Sequence, residues 1–132
     1  MTAGLAPSLV SGWLNTLRTA GAAYGPVAGT FAQLHTGDPG AAGTANVAVG
    51  STARNSFTFA ASTTGSALSL GTPPAAWTNG GTSETLTHIS VWTAASGGSF
   101  LFSVALTASK AWAGTDQFTL STLSAALTPQ SA

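Results

Sequence analysis

The sequence predicts a mainly β fold: a β-sandwich, jelly-roll-like, of seven or eight short antiparallel strands with one N-terminal helix. Three observations carry this expectation. Apolar and polar residues alternate in several short runs, the period of a half-buried strand. Clusters of Gly, Pro, Asn and Asp separate those runs at short intervals. Only one stretch has the spacing of a helix.

That stretch is 8–20. Leu9, Val10, Trp13, Leu14 and Leu17 fall on a single apolar stripe. Pro7 and Ser8 suit a helix start and Gly21 a stop. The polar face is thin, with Ser11, Asn15, Thr16 and Arg18. The stripe has two readings: packing on its own domain, or docking of a Trp13 face into a neighbouring subunit. Residues 1–30 thus read as a helix, a Gly/Ala-rich connector and a candidate docking element. Its contact residues would be Leu9, Trp13, Leu14 and Leu17. Residues 31–129 read as the sandwich domain.

Thr30 to His35 reads as the first strand. Thr36-Gly37-Asp38-Pro39-Gly40 then concentrates turn chemistry. Pro39 fixes its own φ, Gly37 and Gly40 suit positive φ, and Asp38 is expected to accept a local backbone hydrogen bond. A loop of small residues follows to Gly50. Phe57 and Phe59 share a face of a strand near 53–61, and Leu68 and Leu70 share a face near 66–70. Asn79-Gly80-Gly81 is a turn.

The clearest element is a hairpin over 84–107. Its first strand sends Leu86, His88, Ser90 and Trp92 one way and Thr85, Thr87, Ile89 and Val91 the other. Ser96-Gly97-Gly98 turns the chain into 99–107, where Phe100, Phe102, Val104 and Leu106 alternate. A last strand runs over 117–127. The expected core includes Phe57, Phe59, Ile89, Val91, Phe102 and Phe118.

Composition excludes several function classes. The 132 residues hold 3 Lys+Arg and 3 Asp+Glu, so only 5% are charged and the formal net charge is zero. Three cations cannot neutralise the roughly 6–10 phosphates that nucleic-acid binding commonly engages. Nor do they make a polybasic membrane-surface segment. No cysteine is present, which removes disulfides, thiolate metal sites and Cys nucleophiles. No uncharged apolar run reaches the roughly 20 residues of a membrane-spanning helix. The first cation, Arg18, follows the first apolar residues, so no signal peptide is expected. Ala, Gly, Ser and Thr make up more than half of the chain. So neutral a surface does little to keep monomers apart, and an oligomer is expected.

Candidate chemistry is sparse. His35 and Asp38 with a serine could be drawn as a triad, but no Gly-x-Ser-x-Gly elbow supports one. His35, His88, Asp38, Glu84 and Asp116 could be drawn as metal ligands, but no His-x-His or His-x-x-x-His spacing does so. Glu84 and Asp116 could be a glycosidase pair, or could each pair with Arg54 or Lys110. Trp77 and Trp112 are the rings to consider for stacking on a sugar, against core packing. Trp112, beside Lys110 and ahead of a turn, reads as the more loop-exposed. No cofactor is expected, and no catalytic or metal-binding residue is assigned.

Two blocks of sequence carry a resemblance. Leu34-His35-Thr36-Gly37-Asp38-Pro39-Gly40, followed by Gly43-Thr44-Ala45-Asn46, is similar to the opening of small virion proteins of tailed phages of actinobacteria, usually labelled tail-fibre proteins. Thr87-His88-Ile89-Ser90-Val91-Trp92, then Ser96-Gly97-Gly98 and Phe100-Leu101, resembles a second block of that family. Together with Lys110-Ala111 and the closing stretch, the resemblance covers roughly 31–129.

The resemblance implies a non-enzymatic, β-rich structural protein on the virion surface, assembled in the bacterial cytoplasm. A single domain of this size is about 35 Å across. That suits capsid decoration, as a minor capsid protein, at least as well as a tail or tail-fibre module. Its partners would be copies of itself and capsid or tail proteins, with a trimer favoured over a dimer on the resemblance alone. The competing reading is an adhesion module that touches host surface glycans through Trp77 or Trp112. Neither reading involves nucleic acid or membrane insertion.

Overall fold

The computed structural model describes residues 3–18, 28–62 and 67–126. Helix α1 spans Pro7–Arg18. The strands described are β1 Phe31–His35, β2 Asn55–Ser56, β3 Phe59–Ala60, β4 Ala67–Leu70, β5 Trp77–Thr78, β6 Glu84–Trp92, β7 Phe100–Trp112, β8 Gln117–Phe118 and β9 Ser124–Ala126. All pairings are antiparallel. The main sheet runs β2-β1-β6-β7, a second runs β3-β4-β9, and β5 pairs with β8. The mainly β sandwich expected from the alternating runs is the fold. The stop expected at Gly21, and residues 19 and 20 of the expected helix, lie outside the described residues.

Residues opposite one another in an antiparallel pair share a face. Registers such as Leu34 with Ile89, Ala32 with Val91, and Val91 with Phe102 put these residues on one face of the main sheet. The second sheet covers it: Phe59 stacks on Phe102 at 6.4 Å between ring centroids and meets Phe57 edge-on at 5.0 Å. Buried Leu120 and Leu123 join the same core. Gln33, His35, Ser90 and Ser103 form the opposite face. There the 36–50 loop closes over the sheet, and His35 and Ser90 are fully buried. A strand covered on both sides loses the in–out polarity of an exposed one. This is why every residue from Ile89 to Trp92 is buried.

The structure departs from the expected elements at three places. The run at 53–61 is two strands in two sheets. Between them Phe57 N–H donates to Thr30 O at 2.9 Å, while Thr58 N–H donates to Thr72 O at 3.0 Å. The chain thus switches sheets at this corner. Phe57 is buried there, whereas Phe59 is only half-buried. The run at 117–127 splits in the same way, into β8 and β9, and Phe118 is half-buried. β7 is longer than expected and reaches Trp112. It does so past an irregularity in which Leu106–Ser109 stands opposite the single residue Thr87.

The N-terminal segment is tied to the free side of β7. Ser103 N–H donates to Gly4 O at 2.9 Å, Ala6 N–H donates to Leu101 O at 2.6 Å, and Leu5 bridges Phe102. Pro7 can open a helix because its missing N–H has no helical partner to lose. Helix α1 therefore leaves the sheet directly from this edge.

Candidate functional site

Helix α1 buries only its first turn. Leu9 is 3% exposed and belongs to the core, so it is not a contact residue of an outward face. The stripe then climbs out of the protein: Trp13 is 40% exposed, Leu14 60% and Leu17 84%. Beside it lies a cleft of about 650 Å³ between the helix, β7 and the second sheet. Leu5, Leu9, Trp13, Phe59, Leu68 and Phe102 supply its larger side chains. Of the four residues read as a docking stripe, three present apolar surface to solvent.

The 36–46 segment is a built turn. Asp38 Oδ1 accepts the Gly40 N–H at 2.8 Å, and Asp38 O accepts from Asn46 Nδ2 at 2.9 Å. Thr36 N–H donates to Asn46 O at 2.8 Å, and Ala45 N–H donates to Pro39 O at 3.0 Å. Gly40 has φ 74°, as expected, but Gly37 is not in the left-handed region. What Gly37 supplies is room, since a Cβ there would lie 2.9 Å from the Asn46 side chain. Asp38 Oδ2 is buried without a hydrogen-bond partner. Asp38→Ala is expected to cost about 1 kcal/mol by loss of the Gly40 bond. The midpoint of urea unfolding reads it directly. A shift near zero would mean that losing the unpartnered oxygen offsets the lost bond.

His35 sits at the root of this turn. Its Nδ1 lies 2.8 Å from Ala45 O and its Nε2 2.7 Å from Ser90 Oγ. A carbonyl only accepts, so Nδ1 carries the proton and Nε2 accepts from the serine hydroxyl. Ser90 Oγ accepts in turn from Trp92 Nε1 at 2.7 Å. Burial holds the His35 pKa below its ordinary value. The neighbouring His88 and Arg54 act in the same direction, against the Ala45 and Asn46 backbone bonds. The pair resembles the first two members of a serine triad. Its third position is a carbonyl rather than a carboxylate, and both residues are 0% exposed. Asp38 is not its partner. This network holds the loop.

The two tryptophans read as sugar-stacking candidates are not presented for stacking. Trp77 and Trp112 are each 1% exposed, whereas a ring that stacks on a pyranose needs an open face. Trp77 Nε1 donates to Ala53 O at 2.9 Å, and its ring tilts against Phe118 at 6.1 Å. Trp112 ends β7 rather than lying in a loop, and its Nε1 donates to Asp116 O at 3.0 Å. The extension of β7 beyond the irregularity carries Trp112 into the core. Trp92 is buried as well, 5% exposed, with Arg54 Cζ 3.5 Å above its ring.

The acids are also committed to backbone. Glu84 accepts the N–H of Gly50 at 2.8 Å and of Val49 at 3.1 Å, which fixes the far end of the 36–50 loop. Asp116 Oδ2 accepts the Ala113 N–H at 3.0 Å. Arg54 donates to Ala94 O at 3.2 Å, Gly97 O at 2.7 Å and Gln33 Oε1 at 3.3 Å, so its fork pins the β6–β7 turn. Among the described residues, no three of His, Asp or Glu converge as metal ligands. Nor is any helix among them long and apolar enough to cross a membrane. The Glu84 grip on the loop and the Ser90 bond to His35 join residues dozens of positions apart. No local motif announced either.

The comparisons fit a protein whose built features are packing devices. No curated protein matches the chain. The family model described as podophage GP4 fiber I protein gp80 matches residues 6–128 of the 132 in the chain, a span that holds all nine strands among the described residues. The chain belongs to this family, one of phage fibre-type structural proteins of the virion.

Proposed function

We propose that this protein is a non-enzymatic subunit of a phage fibre, held in the virion by the outward part of helix α1. The observation that carries this is the single apolar stripe that begins in the core at Leu9 and ends 84% exposed at Leu17. A monomer gains nothing from so exposed a leucine, whereas a neighbouring subunit would bury it at about 1.5–3 kcal/mol per side chain. The family description favours a fibre over capsid decoration. The low charge supports association of copies with one another, and a trimer is the state we expect.

The adhesion alternative loses its two named rings, both buried. Any glycan contact would have to use other surface. Electron microscopy of particles carrying labelled protein tests location: label along the fibres supports the proposal, and label over the capsid lattice overturns the fibre assignment. Sedimentation of the purified chain at micromolar concentration reports whether it self-associates.

A further inference from the structure

We propose that His35 is an acid-sensitive latch for the 36–50 loop, which closes over the main sheet while the ring is neutral and lifts when the ring takes a proton. The returning half of the loop is fastened to the end of β1 by the Ala48 N–H bond to Leu34 O at 3.0 Å, the Thr36–Asn46 bond and the His35 contact to Ala45 O. It is fastened at its end by Glu84. In the middle Gly43 lies flat against the Phe100 ring, so close that a Cβ would fall 2.4 Å from Phe100 Cδ2. Beneath it Phe100 and Trp92 pack at 5.4 Å.

The closed network has room for one proton on the ring. With Nε2 protonated, Ser90 Oγ would receive two donors, Nε2–H and Trp92 Nε1–H. The Ser90 hydroxyl hydrogen would then lose its acceptor in a site closed to water. The charged neighbours do not compensate. On β6, His88 stands directly opposite His35, and Arg54 from the β1–β2 connection brings a positive charge nearby; both disfavour a charged ring. The loop's own acid, Asp38, has one oxygen on the Gly40 N–H, and Glu84 on β6 is engaged with Val49 and Gly50. Lifting the loop hydrates the imidazolium, a gain that outweighs the lost bond to the Ala45 carbonyl.

The sign follows from linkage. A ring whose pKa is depressed when closed binds fewer protons than an open one near the ordinary value of 6.5, so closure is favoured above that pH and weakened below it. For a closed ring that never protonates, opening between pH 7.5 and pH 5 increases by about 30-fold.

Amide hydrogen exchange of the full chain, expressed as protection factors, tests this at the two pH values. The expected result is a fall of about 10- to 30-fold for the amides of Thr36, Ala45 and Ala48, with Val91 and Phe102 unchanged. The response should persist in His88→Gln and vanish in His35→Gln. Unchanged protection in the loop would overturn the proposal, as would an equal fall throughout the sheet. Should His35→Gln not fold, the wild-type and His88→Gln profiles still decide, because loss of the response in His88→Gln would assign it to the wrong histidine.

Discussion

Trp112→Ala is expected to destabilise the protein by about 3–5 kcal/mol, the range for deleting a fully buried tryptophan. The ring is 1% exposed at the end of β7. Its removal leaves a cavity and frees the Asp116 carbonyl that Nε1 holds. The loss would not stay local. Trp112 O accepts from Asn79 Nδ2 at 2.8 Å, and Asn79 Oδ1 accepts the N–H groups of Gly81 and Thr82. The end of β7, the turn before β6 and the β5–β8 pair therefore share one anchor. Thermal unfolding followed by near-ultraviolet circular dichroism should fall by more than about 10 °C. Trp112→Phe should recover much of the packing but not the bond. An unchanged melting temperature would mean that the ring is at the surface, and would reopen the sugar-stacking reading.

Gly43→Ala is expected to cost about 2–5 kcal/mol. Two effects add at this position. A φ of 72° is left-handed, which penalises a residue with a Cβ by roughly 1–2 kcal/mol. The new methyl would also drive into the face of Phe100, and overpacking of this kind costs typically 1–3 kcal/mol. The two effects separate in a double-mutant cycle. Phe100→Leu in the Gly43→Ala background should return the steric part and leave the backbone part, so the pair should couple. Additive free energies would place the loop away from the ring. Denaturant midpoints of the four proteins are sufficient.

These sites differ in how far the sequence exposed them. The β6–β7 hairpin was legible because Ser96-Gly97-Gly98 marks its turn and apolar residues alternate on both sides of it. Helix α1 was legible from its stripe, and β4 from Leu68 and Leu70. The corner at Phe57 was not, because two residues of regular alternation look the same whether the strand continues or crosses to another sheet. Trp112 reads as loop-exposed for a related reason. Trp112 follows the exposed stretch from Thr107 to Ala111, and only the long-range partners Asp116 and Asn79 reveal its burial. His35 reads from the sequence as the last residue of a strand before a turn. Its role depends on Ala45, ten residues on, and on Ser90, fifty-five residues on. The exposed half of the helix stripe was visible as a pattern, but the depth to which it buries is set by the pairing of residues 4–6 with β7.

On the function proposed above, this chain works by packing through the outward face of helix α1. The most direct measurement is incorporation of the Leu14→Asp, Leu17→Asp double variant into phage particles, with stability measured on the same protein. Both side chains are largely exposed, so unfolding should shift by no more than about 0.5 kcal/mol per site. Loss of two buried leucines from a subunit contact removes about 3–6 kcal/mol, or more than about 100-fold in affinity. The expected result is a folded protein almost absent from purified particles. Particles loaded with the folded variant to the wild-type level would show that the outward face of helix α1 is not the attachment surface.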